Sequence, residues 1–226
     1  TISGSSSVGI GSTSQLSISG NSAAGAWTSS NTGVATVSSS GLVTGQGAGS
    51  ANIIYTVTGT GGCSDVTDSY AITVTNSLVT TGNSSNWNDA SAWASGVVPA
   101  AGQLVIISHN LTVNVNTAAL GTLTIDASKT LTVGADTLEV SGLTDVNGTL
   151  SLGASAVANI DGEYDATGGN TTFTGAGTLK LGSAVTSLGT FAKATNCTVE
   201  YDGASQTVAT LDGTPTSNSY YNLTIN

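Results

Sequence analysis

The chain has 226 residues, a formal net charge of −10 and only 7% charged residues; its three cations are Lys129, Lys180 and Lys193, and it has no arginine. Binding a phosphate backbone needs clustered cations that displace counterions, so nucleic acid is excluded as a partner, and an anionic membrane surface with it. No apolar run approaches the roughly 20 residues of a spanning helix, and no basic-then-apolar leader is present, so no membrane insertion is expected.

Mean hydropathy is +0.20, and Ser, Thr and Asn stand where Lys and Glu usually solubilise a surface. The 30 Gly and 2 Pro suit many short strands joined by tight turns. No stretch carries a 3.6-residue apolar period with caps, so helix content is expected to be near zero. Thr1 begins in mid-phrase and Asn226 ends on a strand, which reads as part of something longer.

Residues 1–76 alternate apolar and polar residues in short runs. These are Gln15–Ile18, Val34–Val37, Gly41–Thr44, Ala51–Val57 and Tyr70–Val74. Strands about ten residues apart with Gly, Ser and Asn turns predict a small β-sandwich. Residues 77–102 form a linker and the entrance to a repetitive region.

From Gln103 onward one short phrase recurs: Leu111-Thr-Val113, Leu123-Thr-Ile125, Leu131-Thr-Val133, Leu138-Glu-Val140, Leu150-Ser-Leu152 and Leu179-Lys-Leu181. Two apolar residues flank one polar residue, the period of a strand with one buried face. Leu111 to Leu131 is 20 residues, Leu131 to Leu150 is 19, and Leu123 to Leu143 is 20. A unit that short cannot bury its own apolar face, so neighbours must stack. Residues 103–226 therefore predict a right-handed parallel β-solenoid, continuing less regularly through Thr198–Tyr201, Gln206–Val208 and Tyr220–Ile225. No polar cap follows Ile225, so the last rung reads as open.

Two stretches carry resemblances. Ala26-Trp27-Thr-Ser-Ser-Asn31-Thr-Gly-Val34-Ala35-Thr-Val37, with Gly41-Leu-Val-Thr-Gly45 and Ala48–Ile53, resembles the bacterial immunoglobulin-like (Big) domain family. That resemblance implies spacer and adhesive segments of surface proteins, without catalytic residues. It also implies an early cysteine partner for Cys63, where this chain instead reads Val8-Gly9-Ile10-Gly11. Asn86-Trp87-Asn-Asp89-Ala-Ser91-Ala-Trp93 before Val97-Val98-Pro99 resembles the N-terminal cap of solenoid modules in large secreted, adhesin-type proteins of gliding bacteria. Trp87 and Trp93 would then lid the apolar core, or offer a ring to a sugar.

Candidate chemistry is sparse. Asp161, Glu163 and Asp165 would share one face of a strand, about 6.5–7 Å apart, a spacing that could hold calcium or serve glycoside hydrolysis. A solvated face is the plain alternative. Asp65 and Asp68 are weaker calcium candidates, and His109, the single histidine, sits in a turn. Cys63 and Cys197 fall in different units, leaving free thiols, an interdomain bridge and an interchain bridge all open. Thr122 and Thr124, with Thr130 and Thr132, form Thr-x-Thr pairs of the kind that order water on ice-binding surfaces, lapsing at Ser151 and Lys180. N-x-S/T sequons at Asn83, Asn110, Asn147, Asn170, Asn196 and Asn222 are expected by chance in so Thr- and Asn-rich a chain.

The expectation is an all-β chain, an immunoglobulin-like β-sandwich followed by the solenoid. It would be a non-catalytic structural module of an extracellular adhesin or fibre at the bacterial cell surface, associating end to end with copies of itself or adjacent modules, and possessing no required cofactor. The alternatives are a carbohydrate-binding or carbohydrate-active module that takes surface glycans, and ice binding through the Thr-x-Thr face.

Overall fold

A computed structural model describes residues 1–20, 24–211 and 219–226. The chain divides into two compact units, residues 1–78 and 79–226. Among the described residues every regular element is a strand except one 3-10 turn, Ala90–Ala92.

The first unit contains β1 (Ile2–Ser3), β2 (Ser7–Gly9), β3 (Thr13–Gln15), β4 (Ser17–Ile18) and β5 (Ala26–Ser29). They are followed by β6 (Ala35–Val37), β7 (Leu42–Gly45), β8 (Gly49–Val57) and β9 (Val66–Thr75). One sheet has the order β2-β9-β8-β5 and another β3-β7-β6, with β1 paired to β4. The alternation anticipated over Gln15–Ile18 is split at Leu16, which is buried while its flanks join different sheets. Val8, Leu16, Ala35, Val43, Ala51, Ile53, Ile72 and Val74 fill the space between the sheets. Trp27 sits beside that core rather than at its centre, half-buried on β5 and edge-on to Tyr55 at 4.9 Å.

β10 (Ser77–Val79) spans the boundary between the units; the second unit continues with β11 (Leu104–Ile107) and β12 (Leu111–Val113), and then adds three strands per turn. These are β13 (Thr122–Ile125), β14 (Thr130–Val133), β15 (Thr137–Val140); β16 (Thr144–Val146), β17 (Thr149–Leu152), β18 (Val157–Ile160); and β19 (Tyr164–Asp165), β20 (Asn170–Phe173), β21 (Thr178–Leu181). The last are β22 (Val185–Ser187), β23 (Thr190–Ala192), β24 (Thr198–Tyr201) and β25 (Asn222–Ile225). From β13 to β24 every third strand joins the same sheet in parallel, giving the orders β10-β11-β13-β16-β19-β22, β12-β14-β17-β20-β23 and β15-β18-β21-β24-β25. The result is a three-faced β-solenoid. Inward Leu, Val and Ile from all three sheets meet in one dry core: Leu123, Leu131, Leu138, Leu150, Leu152 and Leu179 are each fully buried.

The twenty-residue repeat sets the register. Leu111 lies over Leu131 and Leu131 over Leu150, as the spacing predicts. On the first sheet the step from β13 to β16 is 21 residues, so Leu123 lies over Thr144 and not Leu143. Leu143 is 43% exposed and Thr144 is fully buried. The cause is a glycine column at the corner before that sheet, formed by Gly102, Gly121, Gly142 and Gly162. A Cβ on Gly121 would lie 2.5 Å from Gly102 O, and on Gly142 or Gly162 it would overlap the carbonyl oxygen of the glycine one rung before. Gly142 must therefore sit on Gly121, 21 residues on, and the next strand enters one residue later than the leucines suggest.

Burying Thr144 leaves its Oγ1 without a hydrogen-bond partner, a cost of about 1–3 kcal/mol for a desolvated polar group. Thr144→Val is therefore expected to stabilise the solenoid by about 1 kcal/mol, read as a higher urea midpoint with an unchanged slope. An unchanged or lower midpoint would contradict that reading. The two other buried hydroxyls nearby are satisfied: Tyr164 Oη and Thr171 Oγ1 are 2.7 Å apart, and Thr171 Oγ1 donates to Leu188 O. Burial pushes the Tyr164 phenol well above its usual range, so it stays protonated.

The irregular stretch after β21 departs from the sequence reading at one place. Gln206–Val208 forms no strand. The Gln206 side chain instead accepts from Gly203 N and donates to Leu181 O and Ser183 O, bracing the last corner. Residues 212–218, within that stretch, lie outside the described residues.

Candidate functional site

The entrance of the solenoid is built from the tryptophan pair. Trp87 and Trp93 are 1% and 2% exposed, edge-on at 4.8 Å. The indole Nε1 of Trp93 donates to Trp87 O at 2.9 Å. Between them the 3-10 turn is capped by Asp89, whose carboxylate accepts from Ser91 N and Ser91 Oγ. Those hydrogen bonds hold its pKa below the usual carboxylate range. With both rings buried, neither offers a face to a sugar, and the sugar-contact reading of Trp87 and Trp93 is corrected on that ground. The pair acts as packing.

Each first-rung edge within the solenoid is covered as well. Thr80 N donates to Ile106 O, and Ser108 N and His109 N donate to Thr80 Oγ1, which covers the end of β11. Thr112 N donates to Ser85 O and accepts Trp87 N on its carbonyl, which covers β12. Thr117 N and Leu120 N donate to Thr137 O and Glu139 O, which covers β15. A parallel edge left open would be a template for foreign strands, and this end of the stack presents none. His109, exposed as its turn position predicts, is held by Nδ1 at 2.9 Å from Thr80 O.

The opposite end differs. β22, β23 and β25 are the outermost strands of their sheets. Leu223 lies over Val199 and Ile225 over Tyr201, in core register, yet Leu223 is 42% and Ile225 66% exposed.

The acidic trio does not converge. Asp161 follows β18, Glu163 precedes β19 and Asp165 lies within it, so the three bend around a corner instead of sharing one strand face. Their carboxylates go to separate partners: Asp161 to Asn159 Nδ2, Glu163 to Thr186 Oγ1, and Asp165 to Thr167 N and Oγ1. Among the described residues no three His, Cys, Asp or Glu side chains are placed to hold a metal ion. The calcium and glycosidase readings of Asp161, Glu163 and Asp165 therefore lose their geometry. Asp65 accepts from Gly59 N, and Asp68 accepts from Ile2 N and Ser69 N, so both brace loops of the first unit.

Both cysteines are free thiols. Cys63 is exposed in the loop before β9, whereas Cys197 is 1% exposed inside the solenoid core. A bond from Cys197 to any other chain would require opening the core, so the disulfide candidacy of Cys197 is corrected. Gly9 stands where the resemblance implied a partner for Cys63, and a Cβ there would lie 2.8 Å from Ser77 O. The backbone packing at that point admits no side chain.

With two sheets, their buried interface and the Trp27 strand in place, the first unit can be compared with known domains. Residues 5–67 match the family model of the bacterial Ig-like domain, group 2. The match covers most of the first unit and ends before the solenoid. No curated protein matches the chain in sequence. The Ig-like domain itself holds a cleft of about 340 Å³ between Ile18, Tyr55, Val57, Val66 and Asp68; its one carboxylate is already engaged by Ile2 N. Among the described residues no helix is long and apolar enough to cross a membrane.

The outward residues sort into three faces, and the Thr-x-Thr pairs of the sequence fall on two of them. Two faces carry charge. The first shows Thr124, Asp145 and Asp165 in one column. The third shows Glu139, Asn159, Lys180 and Glu200, joined by an Asn159–Glu139 hydrogen bond of 2.8 Å and a Lys180–Glu200 ion pair of 3.2 Å. The second face bears no charge on its strands. Lys180 therefore does not interrupt the threonine array, and Thr122 and Thr124 do not belong to it. They face outward on a different sheet from Thr130 and Thr132.

Proposed function

We propose that this chain is a non-catalytic structural module of an extracellular adhesin or fibre at the bacterial cell surface, with the Ig-like domain as spacer and the solenoid as stiff element. What carries the reading is the hydrogen-bonded stack itself. Its strands continue in register rung upon rung around a dry core, and its polar side chains are spent on corners, caps and ladders. In a chain arranged so, each rung is stabilised by the ladders it shares with its neighbours, as in other repeat arrays.

The match of residues 5–67 to a family model and the scarcity of Lys and Arg support the surface setting. The outermost strands β22, β23 and β25 are where a further rung, from this polypeptide or another copy, would add. Strand addition at a sheet edge draws on main-chain hydrogen bonds and needs only an apolar-x-apolar segment to fill the core positions. The carbohydrate alternative loses its support, because the side chains that favoured it are buried or dispersed.

Electron microscopy of the purified chain, with and without reductant, tests the association. End-joined particles that persist in reductant are expected, since Cys197 is enclosed. Discrete single particles at every concentration would remove the association from the proposal.

A further inference from the structure

The second solenoid face is a surface feature that the structural role does not use. Its outward side chains form two columns across β12, β14, β17, β20 and β23. In one, Thr130 lies over Thr149, Thr149 over Asn170 and Asn170 over Thr190. In the other, Thr112 lies over Thr132, Thr132 over Ser151, Ser151 over Thr172 and Thr172 over Ala192. Six of these nine positions are threonine and one is serine. None is charged, in a chain of net charge −10 whose two other faces bear carboxylates in their columns.

The backbone fixes the lattice. Neighbouring strands lie about 4.7–4.9 Å apart, and residues two apart on a strand are about 6.6 Å apart. Threonine is stiff at χ1, so each hydroxyl and methyl is held in place by the strand rather than by a mobile stem. Asn170 is tied into the array by its Nδ2, 3.2 Å from Thr149 Oγ1.

A ligand for such a surface must be uncharged, rich in hydrogen-bond donors and acceptors, and periodic in two directions. A soluble oligosaccharide fits poorly, because the face sets no aromatic ring outward and is built of strands without an intervening groove. Ordered water fits: its oxygens both donate and accept, and methyl groups between hydroxyls favour a caged first shell. We propose that the face formed by Thr112, Thr130, Thr132, Thr149, Thr172 and Thr190 orders water into an ice-like layer and adsorbs to ice. Ser151, 8% exposed, is a recess in the middle of the lattice, and Ala192 ends it, so the patch of greatest regularity is formed by Thr112, Thr130, Thr132 and Thr149.

The test is ice recrystallisation and ice-crystal shaping by the purified chain, with variants chosen by face. Wild type is expected to suppress recrystallisation. Thr132→Tyr, which sets a ring upright in the lattice, and Thr149→Lys, which charges it, are each expected to lose that activity. Thr124→Tyr, on the first face, is expected to keep it. Circular dichroism melts on each variant confirm the fold, and having two independent lattice variants keeps the test open should one fail to fold. A wild-type chain without effect on ice overturns the proposal. So does activity that survives both lattice changes, or that is lost equally in Thr124→Tyr. The outcome is independent of end-on association, which is read in unfrozen solution.

Discussion

Gly162→Val is expected to destabilise the solenoid by about 3 kcal/mol or more, the upper end of overpacking costs. For a unit of this size that is a fall of roughly 10 °C in its melting transition. The glycine column allows little relief. A Cβ on Gly162 would meet the carbonyl carbon and oxygen of Gly142 and the Gly142 Cα, all of them backbone. Rotating a side chain away cannot resolve such an overlap. Moving the backbone would strain the Gly182 N to Ile160 O bond on one side or the β16–β19 register on the other. Gly134 provides the control. A Cβ there would stand 3.5 Å from Val113 O, an ordinary contact, so Gly134→Ala should change stability little. Thermal melts of the three proteins decide the matter. Equal melting points would show that the corner is soft and that the column does not set the rung spacing.

The second large effect is expected at the entrance. Trp93→Ala should cost about 3–5 kcal/mol, the usual range for removing a large buried aromatic. The side chain is 2% exposed, packs edge-on to Trp87 at 4.8 Å and donates its indole proton to Trp87 O. Its removal opens a cavity at the first rung and leaves a buried carbonyl without that donor. Trp93→Phe restores much of the packing but not the hydrogen bond, and should recover more than half of the loss. Urea unfolding of both variants measures this, and amide exchange places it. Protection should fall first at Thr112, whose N–H is bonded to Ser85 O, and at Val105 to Ile107, ahead of β17 and β18. A loss spread evenly along the solenoid, or a cost below about 1 kcal/mol, would deny the pair its capping role.

Much of this architecture was legible in the residues. Leu111, Leu131 and Leu150 fall at 20- and 19-residue intervals because consecutive rungs of one sheet need equal lengths of chain, and the structure pairs them directly. The Ig-like domain was readable from Trp27 to Ile53, where apolar alternation and glycine turns coincide with a matched family model. The burial of the tryptophans was readable because two large rings preceding the first rung have nowhere else to go.

Other features were not legible, for physical reasons that can be named. Leu143 looked like a core residue because leucine normally is one, but a one-residue change of register turns a side chain to the opposite face, and that register is fixed by glycine backbones whose contact leaves no apolar signature. Asp161, Glu163 and Asp165 looked coplanar because alternate residues of a strand share a face, whereas the chain turns a corner between β18 and β19. The Thr-x-Thr pairs joined two faces: Thr130 and Thr132 lie on the threonine face, and Thr122 and Thr124 on another. Thr122 and Thr130 are close in sequence, but three strands make one turn, so residues that share a face are about twenty apart. Thr112, Thr132 and Thr172 could have been found by reading outward positions at that interval, just as the leucines were read inward.

A structural solenoid extended through its outermost rung should associate in solution, and sedimentation velocity reads that association without a surface or a stain. The chain would be run over a wide concentration range beside Ile225→Lys, which places a charge at a core-register position that is 66% exposed. The wild-type chain is predicted to associate as concentration rises, while Ile225→Lys stays monomeric with an unchanged melting point. A wild-type chain that remains monomeric throughout, or a variant that associates equally well, would contradict extension through that rung.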